Sequence, residues 1–384
     1  MNFELSTDQK LLVETVRAFV QKESPPARLR SLRSDPLGFS RDLWRKMGEL
    51  GWLALPFPER FGGLEQSFVE VSLVLEQLGT ALVPEPYLGG IVFAGGLLAE
   101  AGTDAQREQW LAPLATGESL LAVAHAERGS RFEPSSVATT ATATGDGYVL
   151  RGEKHFVLWG NAADAFIVSA RTAGAPHEAR GVSLFLVPKA AAGLRVDALA
   201  TTDGHRAARL TVDGVHVARD AGVGSVDDGV RPLSLAIDRA TAGASAEAVG
   251  VMREALNLTV AYLGTREQFG VKIGTFQALQ HRAVDMFIET ELARSMAMLA
   301  ALRAESTDDE ERVRAVSAAK AHVAASGRFV TAQAIQLHGG IGISDEHDIG
   351  LYFKRMHALA TLFGDEEHHL ARFAARKAFA TLET

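Results

Sequence analysis

The chain has 384 residues, 47% of them hydrophobic and 22% charged, with 39 Lys and Arg against 47 Asp and Glu for a net charge of −8. This size suits two or three domains with well-filled cores, and the acidic balance excludes the basic face that nucleic-acid binding needs. The absence of cysteine excludes disulfides and thiolate chemistry, and no apolar run approaches the roughly 18 residues that cross a bilayer.

The opening segment MNFELSTDQKLLVETVRAF is amphipathic and lacks the basic start of a secretory signal, so a cytoplasmic protein is expected. Ser6 caps a helix whose apolar residues Leu12, Val13, Val16, Phe19 and Val20 recur at spacings of three and four. Further helices are expected over Arg41–Leu50, Val69–Leu78, Leu88–Ala101 and Asp104–Leu114, giving an N-terminal helical domain over 1–117. From 118 to 228 short segments rich in Val, Thr, Phe and Leu alternate with turns: LLAVAHAE, VATTATAT, GYVLRGEKHFVL, DAFIVSART, GVSLFLVP and ARLTVDGVHV. Gly145–Gly147 reads as a hairpin turn, and the segment as a compact antiparallel β domain. Helical periodicity returns over 229–384, with long helices expected at Ser234–Thr265, Thr275–Arg303, Asp308–His338 and His368–Leu382. The fold class is therefore α+β, mainly α.

Common catalytic signatures are absent: there is no GxSxG elbow, P-loop or HExxH, and GVGSVDDG lacks the third glycine of a dinucleotide fingerprint. DEEHH at Asp365–His369 looks like a metal cluster, but adjacent helical residues diverge by about 100°. It reads instead as a solvated helix start with Asp365 as cap, and no metal site is expected. Two connections are more distinctive. REQFGVKIGTFQALQH, Arg266–His281, joins two helices through an arginine, an aromatic and a glycine turn. QLHGGIGISDEH, Gln336–His347, ends a helix in a double glycine that permits close approach of backbone to a ligand.

With GEKHFVL, WGNAAD, PERFGGLEQSFVEVSLVLEQLG and AERGSRFEP, these segments make the chain resemble the acyl-CoA dehydrogenases over nearly its whole length. The resemblance implies a helical N-terminal domain, a central β domain, a C-terminal four-helix bundle, and FAD. It places Arg266, Gln268 and Phe269 on the adenosine diphosphate half of a cofactor bound largely to a neighbouring subunit, helped by Phe276 and Gln277. Gln336, Gly339 and Gly340 approach the same cofactor. Phe156 falls where the family sets an aromatic against the flavin, with the Val157 and Leu158 backbone near its reactive edge. A diphosphate calls for a planar bidentate cation such as Arg266, and a flavin for an apolar wall with backbone donors.

Dehydrogenation of an acyl thioester needs a carboxylate for the α-proton. The family's usual C-terminal position aligns with Phe363 and its second position with Ala240, neither of which can take a proton. Within GASAEAVG, Gly243–Gly250, small residues surround Glu247, as a related branch of the family also has, and Glu247 is the candidate base. Small neighbours leave room for a ligand beside it, and desolvation would raise its pKa. The bland alternative is a carboxylate in a seam, paired with Arg253 or with an arginine of a partner. Arg131 is a candidate for a coenzyme A phosphate and Asp238 for orienting substrate, although the arginine many relatives carry just after Asp238 is Thr241 here. The resemblance implies an acyl-CoA substrate, an electron-transferring flavoprotein as acceptor, and a dimer or homotetramer. Bulky, branched or steroid acyl groups and a sister subunit belong to the same branch. A non-catalytic partner subunit and a flavin monooxygenase or oxidase remain the alternatives.

Overall fold

The computed structural model describes residues 4–376. Helices α1 (Thr7–Glu23), α2 (Pro26–Leu32), α3 (Arg41–Glu49) and α4 (Phe68–Thr80) come first, then α5 (Gly96–Ala101) and α6 (Asp104–Ala115). Strands β1 (Leu121–Ala124), β2 (Thr140–Ala143), β3 (Gly147–Leu158), β4 (Ala165–Arg171), β5 (Val182–Pro188), β6 (Leu194–Ala200), β7 (Arg206–Ala218) and β8 (Gly222–Val223) follow. Helix α7 (Val230–Thr265) leads through the two-residue strands β9 (Glu267–Gln268) and β10 (Val271–Lys272) to α8 (Gln277–Arg303), α9 (Asp309–His338), α10 (Ile349–Thr361) and α11 (Glu366–Ala374).

The chain forms two compact units. One takes the chain up to Ser31, Phe68–Val83 and the chain from Thr241 on; the other takes Leu32–Ser67 and Pro84–Ala240. In the first unit α9 is the central helix, buried along its length and packed by α8, α10 and α11, while α1 lies against α4. Caps set the ends where the sequence signals them. The Ser6 hydroxyl accepts from Gln9 N while the Gln9 side chain accepts from Ser6 N, and the Asp308 carboxylate accepts from Glu310 N.

In the second unit the strands run β6-β7-β3-β2-β4-β5-β8 in one sheet, with β1 also on β4. The expected all-antiparallel arrangement is corrected here: β1 pairs β4 in parallel, and so do β2 and β4 through Thr140 and Arg171. The β2–β3 hairpin intervenes in sequence between β1 and β4, so β4 returns in the direction of β1 and buries both faces, as parallel neighbours usually do. The core of this unit is a cluster that includes Leu150, Phe166, Val168, Phe185 and Leu210.

Three differences from the sequence reading have physical causes. Leu88–Ala101 is not one α-helix: Tyr87–Gly95 is wound as a π-helix before α5. Gly90 and Gly95 there leave space taken by Leu120 and the Phe57 ring, at 2.5 Å from where a Cβ would sit in each case. Strand β6 escapes the sequence reading because four of its seven residues are exposed, which removes the apolar alternation. Helix α10 lies where the sequence reading places no helix, and Leu351, Tyr352, Arg355, Met356 and Leu359 repeat with helical spacing on its buried side. The expected helix His368–Leu382 is α11 in its described part; its residues from 377 lie outside the described residues.

Candidate active site

In the helical unit α7 ends at Thr265, and Arg266 starts the β9–β10 hairpin, whose register pairs Gln268 with Val271 and Glu267 with Lys272. The two-residue turn is Phe269–Gly270, with φ of 55° and 79°, the positive pair that a type I′ turn requires. A bulky aromatic there carries strain of about 1–3 kcal/mol, of the kind that collects at functional positions. The Phe269 ring is 91% exposed and meets Phe276 edge-on at 6.2 Å. Gln277, at the start of α8, is exposed beside it.

Helix α9 ends at His338, directly before the double glycine. Gly339 takes φ 62° and ψ −141°, a region open only to glycine, and nothing lies within 4 Å of a Cβ added at Gly339 or Gly340. The end of α7 and the end of α9 together border an open cavity of about 570 Å³ lined by Arg266, Gln268, Gln336, Gly339 and Gly340. Five of the residues singled out from sequence thus surround one space. Among the described residues no carboxylate is paired with Arg266, whereas the neighbouring Glu267 is taken by Lys272 at 2.6 Å. The sequence reading passes over two other lining residues, Tyr262 and His338. His338 is 2% exposed, and its Nε2 has no hydrogen-bond partner. An unneutralised guanidinium and open backbone suit a nucleotide diphosphate. The signal for His338 is present in QLHGGIG, but a histidine just before a helix-ending glycine reads equally as a C-terminal cap.

Glu247 is placed differently from the expectation. Part of the small-residue run around it admits α4. An added Cβ at Gly250 would sit 1.9 Å from the Glu76 carbonyl oxygen, and one at Gly79 would sit 2.2 Å from the Glu247 carbonyl oxygen. The Glu247 side chain is 5% exposed. Arg355 of α10 donates to its Oε1 from Nε at 2.7 Å, with the terminal nitrogen at 2.6 Å. Arg253, the partner expected within the chain, pairs instead with Glu76 and donates to Gln77 Oε1 at 3.1 Å. Arg355 lies on α10, the helix that the sequence reading lacks, which is why the pairing is not foreseen.

At the family's other positions for the base, Phe363 has φ 61° and its carbonyl lies 3.2 Å from His369 Nε2, while Ala240 is fully buried. Asp365 caps α11, accepting from His368 N at 2.9 Å, and Glu366 pairs with Arg328.

In the sheet unit, β3 slips register against β7 between Lys154 and Val157. The bulge pushes Phe156 out of the pleat at φ 52°, leaving it half exposed, while Val157 and Leu158 rejoin the ladder opposite Ala208 and Ala207. Just before the bulge, Lys154 is fully buried and donates to Glu127 Oε1 at 2.6 Å and Ser169 Oγ at 2.9 Å. Burial lowers the Lys154 amine to about 8. For Glu127 burial pushes upward, but the Lys154 charge and hydrogen bonds outweigh it and leave the carboxyl below its ordinary value. Glu127 also accepts from Ala138 N at 2.7 Å and Thr139 N at 3.0 Å, closing the loop that carries Arg131, itself exposed with φ 48°. Asp238 is fully buried in the first turns of α7.

Comparison with known proteins agrees along the whole length. The acyl-CoA dehydrogenase N-terminal, middle and C-terminal domain families match residues 6–118, 122–215 and 227–378. The acyl-CoA dehydrogenase IpdE2 of Mycolicibacterium smegmatis is 33% identical over 97% of this chain and 99% of its own. The chain belongs to the acyl-CoA dehydrogenase family. Acyl-CoA dehydrogenases are FAD-dependent oxidoreductases acting on CH–CH donors. Among solved structures, a variant of the Tcur3481–Tcur3483 steroid acyl-CoA dehydrogenase superimposes with a TM-score of 0.87 at 31% identity, over 98% of this chain and 99% of that one. The ChsE4–ChsE5 complex of Mycobacterium tuberculosis gives 0.88 at 30% identity over the full length of both chains. Among the described residues no helix of this acyl-CoA dehydrogenase is long and apolar enough to cross a membrane.

Proposed function

We propose that the chain oxidises an acyl-CoA thioester to the 2,3-enoyl-CoA. The observation that carries this reading is the cavity between the ends of α7 and α9, where Arg266, Gln268, Gln336, Gly339 and Gly340 present a cation, amides and open backbone. Arg266 holds the diphosphate, Gln268 and Gln336 orient the nucleotide, and Phe156 with the Val157 and Leu158 backbone forms the flavin wall. Bound FAD supplies the acceptor for the hydrogen and electron pair that leave the β-carbon. Glu247 takes the α-proton as the Cα–Cβ double bond forms. Arg355 stands beside that carboxylate as its counter-ion. Arg131 meets a coenzyme A phosphate, Asp238 orients the substrate, and an electron-transferring flavoprotein reoxidises the enzyme.

The acyl group in this reading is bulky, branched or steroid-derived, a choice supported by the likeness to a steroid acyl-CoA dehydrogenase. Self-association is part of the same reading. Phe269 and Phe276 stand exposed beside the cavity, and Val284, Phe287, Ile288 and Leu292 make an exposed apolar stripe along α8. We take the assembly to be a homotetramer, a dimer of dimers. Anaerobic titration of the purified holoprotein with straight-chain, branched and steroid acyl-CoA thioesters tests the reaction and the substrate class together. Glu247→Gln holoprotein should remain yellow and reduce at least about a hundredfold more slowly; bleaching at the parental rate hands the proton to another group.

One observation favours a second reading. Glu247 is already satisfied in a buried pair, as a structural carboxylate would be, which suits a non-catalytic partner of a sister subunit. A colourless chain, or one that no thioester reduces until a sister chain is added, selects that reading.

A further inference from the structure

Lys154, Glu127 and Ser169 form a polar cluster that the proposed reaction does not use, and it stands where β3 leaves its alignment with β7. Lys154 is opposite Leu210, the last pair before the slip, and pairing resumes with Val157 opposite Ala208, so His155 and Phe156 together face Arg209 alone. A bulge leaves its extra residue unpaired. The ladder therefore does not set how far Phe156 projects; what fixes the strand on either side of it does. On the near side the fully buried Lys154 ammonium has three hydrogens to donate. It donates to Glu127 Oε1 at 2.6 Å and to Ser169 Oγ of β4 at 2.9 Å, and the His125 carbonyl oxygen lies at 3.5 Å. Next to it, His155 N donates to the Ala126 carbonyl at 2.8 Å. Both residues are thereby fixed to 125–127, immediately after β1. Glu127 also accepts from Ala138 N and Thr139 N, at the far end of the segment that carries Arg131. One carboxylate thus secures the strand before the bulge and both ends of the Arg131 segment.

We propose that the Lys154–Glu127 pair is a positioning device for the reaction: it sets how Phe156 meets the flavin and, through the same carboxylate, what the Arg131 segment reaches. The inference rests on the reading of Phe156 as flavin wall and Arg131 as coenzyme A contact. Lys154 and Glu127 act through those two residues rather than on the reacting atoms. A buried ion pair is a poor source of stability beside apolar side chains of similar size, because both charges are desolvated. What it supplies here is direction: its hydrogen bonds are satisfied in one geometry, whereas an apolar contact permits sliding. Ser169 provides the fixed reference, since β4 is buried along its whole length. Loosening the pair moves flavin wall and substrate segment together, whereas a change at Phe156 or Arg131 moves one of them.

The test uses the full-length holoprotein carrying Lys154→Met together with Glu127→Gln, which removes both charges at similar side-chain length and leaves no lone charge buried. Visible absorption and circular dichroism of bound FAD report the flavin wall. The affinity for coenzyme A, measured by calorimetry, reports the Arg131 segment. Amide hydrogen exchange over 128–137 and 156–158 in the deflavinated chain reports the anchor without cofactor. In the double variant the flavin bands should shift, coenzyme A should bind about tenfold more weakly, and both segments should exchange faster. Ser169→Ala removes one acceptor of Lys154 and should move the same readouts in the same direction by less, which keeps the test open if the double variant does not fold. Phe156→Leu should shift the flavin bands alone, and Arg131→Ala the coenzyme A affinity alone. Lys320→Met, which removes a buried lysine of the other compact unit, should move neither. Parental flavin bands and coenzyme A affinity in folded Ser169→Ala and double variants overturn the role of the pair and leave the reaction standing; a shift in only one of the two readouts overturns the coupling. A parental chain that takes up no FAD, or binds no coenzyme A, overturns the reading of the reaction and this inference with it.

Discussion

At Gly250 the volume a side chain would occupy is filled by the Glu76 carbonyl oxygen, 1.9 Å from an added Cβ; at Gly340 no atom lies within 4 Å. Both belong to the helical unit, and both sit in small-residue runs that look alike in sequence. The polar groups around them behave in opposite ways. Beside Gly250, Glu247 is paired with Arg355 and Glu76 with Arg253. Beside Gly340, His338 Nε2 has no partner, and among the described residues Arg266 has no carboxylate. A seam between helices closes on itself, whereas a ligand site leaves its polar atoms unanswered. Small size alone does not distinguish them.

Breaking the seam should give the largest effect. Arg355→Met leaves the Glu247 carboxylate buried without its cation and should cost about 3–5 kcal/mol of stability, seen as a lower midpoint in urea. A midpoint within error of the parent counts against a closed seam. Next comes Gly250→Ala. In an open helix interior this change stabilises by about 1 kcal/mol, but here the α4 carbonyl must move, and a net loss of about 1–3 kcal/mol is expected from overpacking. A gain in melting temperature contradicts the close approach. Gly340→Ala inverts the pattern, with stability unchanged to within about 0.5 kcal/mol but weaker FAD retention, because the methyl group takes space meant for the ligand. Loss of fold with no change in FAD retention exchanges the roles of the two regions.

A pH-dependent effect concerns a buried group elsewhere in the helical unit. Lys320 is buried, donates to the Leu359 carbonyl, and is pushed down to about 7, first by burial, with the Asp365 charge opposing and Arg328 adding to the shift. In the unfolded chain a lysine titrates near 10.4. Between these values the unfolded state holds a proton that the folded state lacks, so stability should rise with pH from about 7 to about 10.4. Lys320→Met should flatten that rise in melting temperature against pH. An equal slope in both proteins removes Lys320 as its source.

Much of this is legible in the sequence because the signals are local. The Ser6 and Asp308 caps, the strands ending at Ala124 and Arg171, and the Arg266 hairpin each depend on residues within a few positions of one another. The space between the ends of α7 and α9 is legible for a related reason: two short motifs carry its side chains, and the ends of two helices bring them together. Glu247 is harder. Its local pattern, small residues around a carboxylate, is the same for a pocket and for a seam, and its counter-ion Arg355 follows it by more than a hundred residues on a helix absent from the sequence reading. Strand β6 escapes for the reverse reason, since its register with β7 holds it in the sheet while its side chains stay exposed.

The clasp at Glu127 has a consequence for how this protein can vary. Ala138 and Thr139 donate to the same carboxylate that begins the Arg131 segment, and Lys154 anchors that carboxylate from below. The residues between are a tethered span whose two ends are tied at one point. Lengthening such a span costs only about 0.6 kcal/mol for each doubling. Substitutions and insertions in it can reshape what Arg131 reaches without disturbing the strands on either side, making this span a natural place for chains of this architecture to vary while keeping the fold.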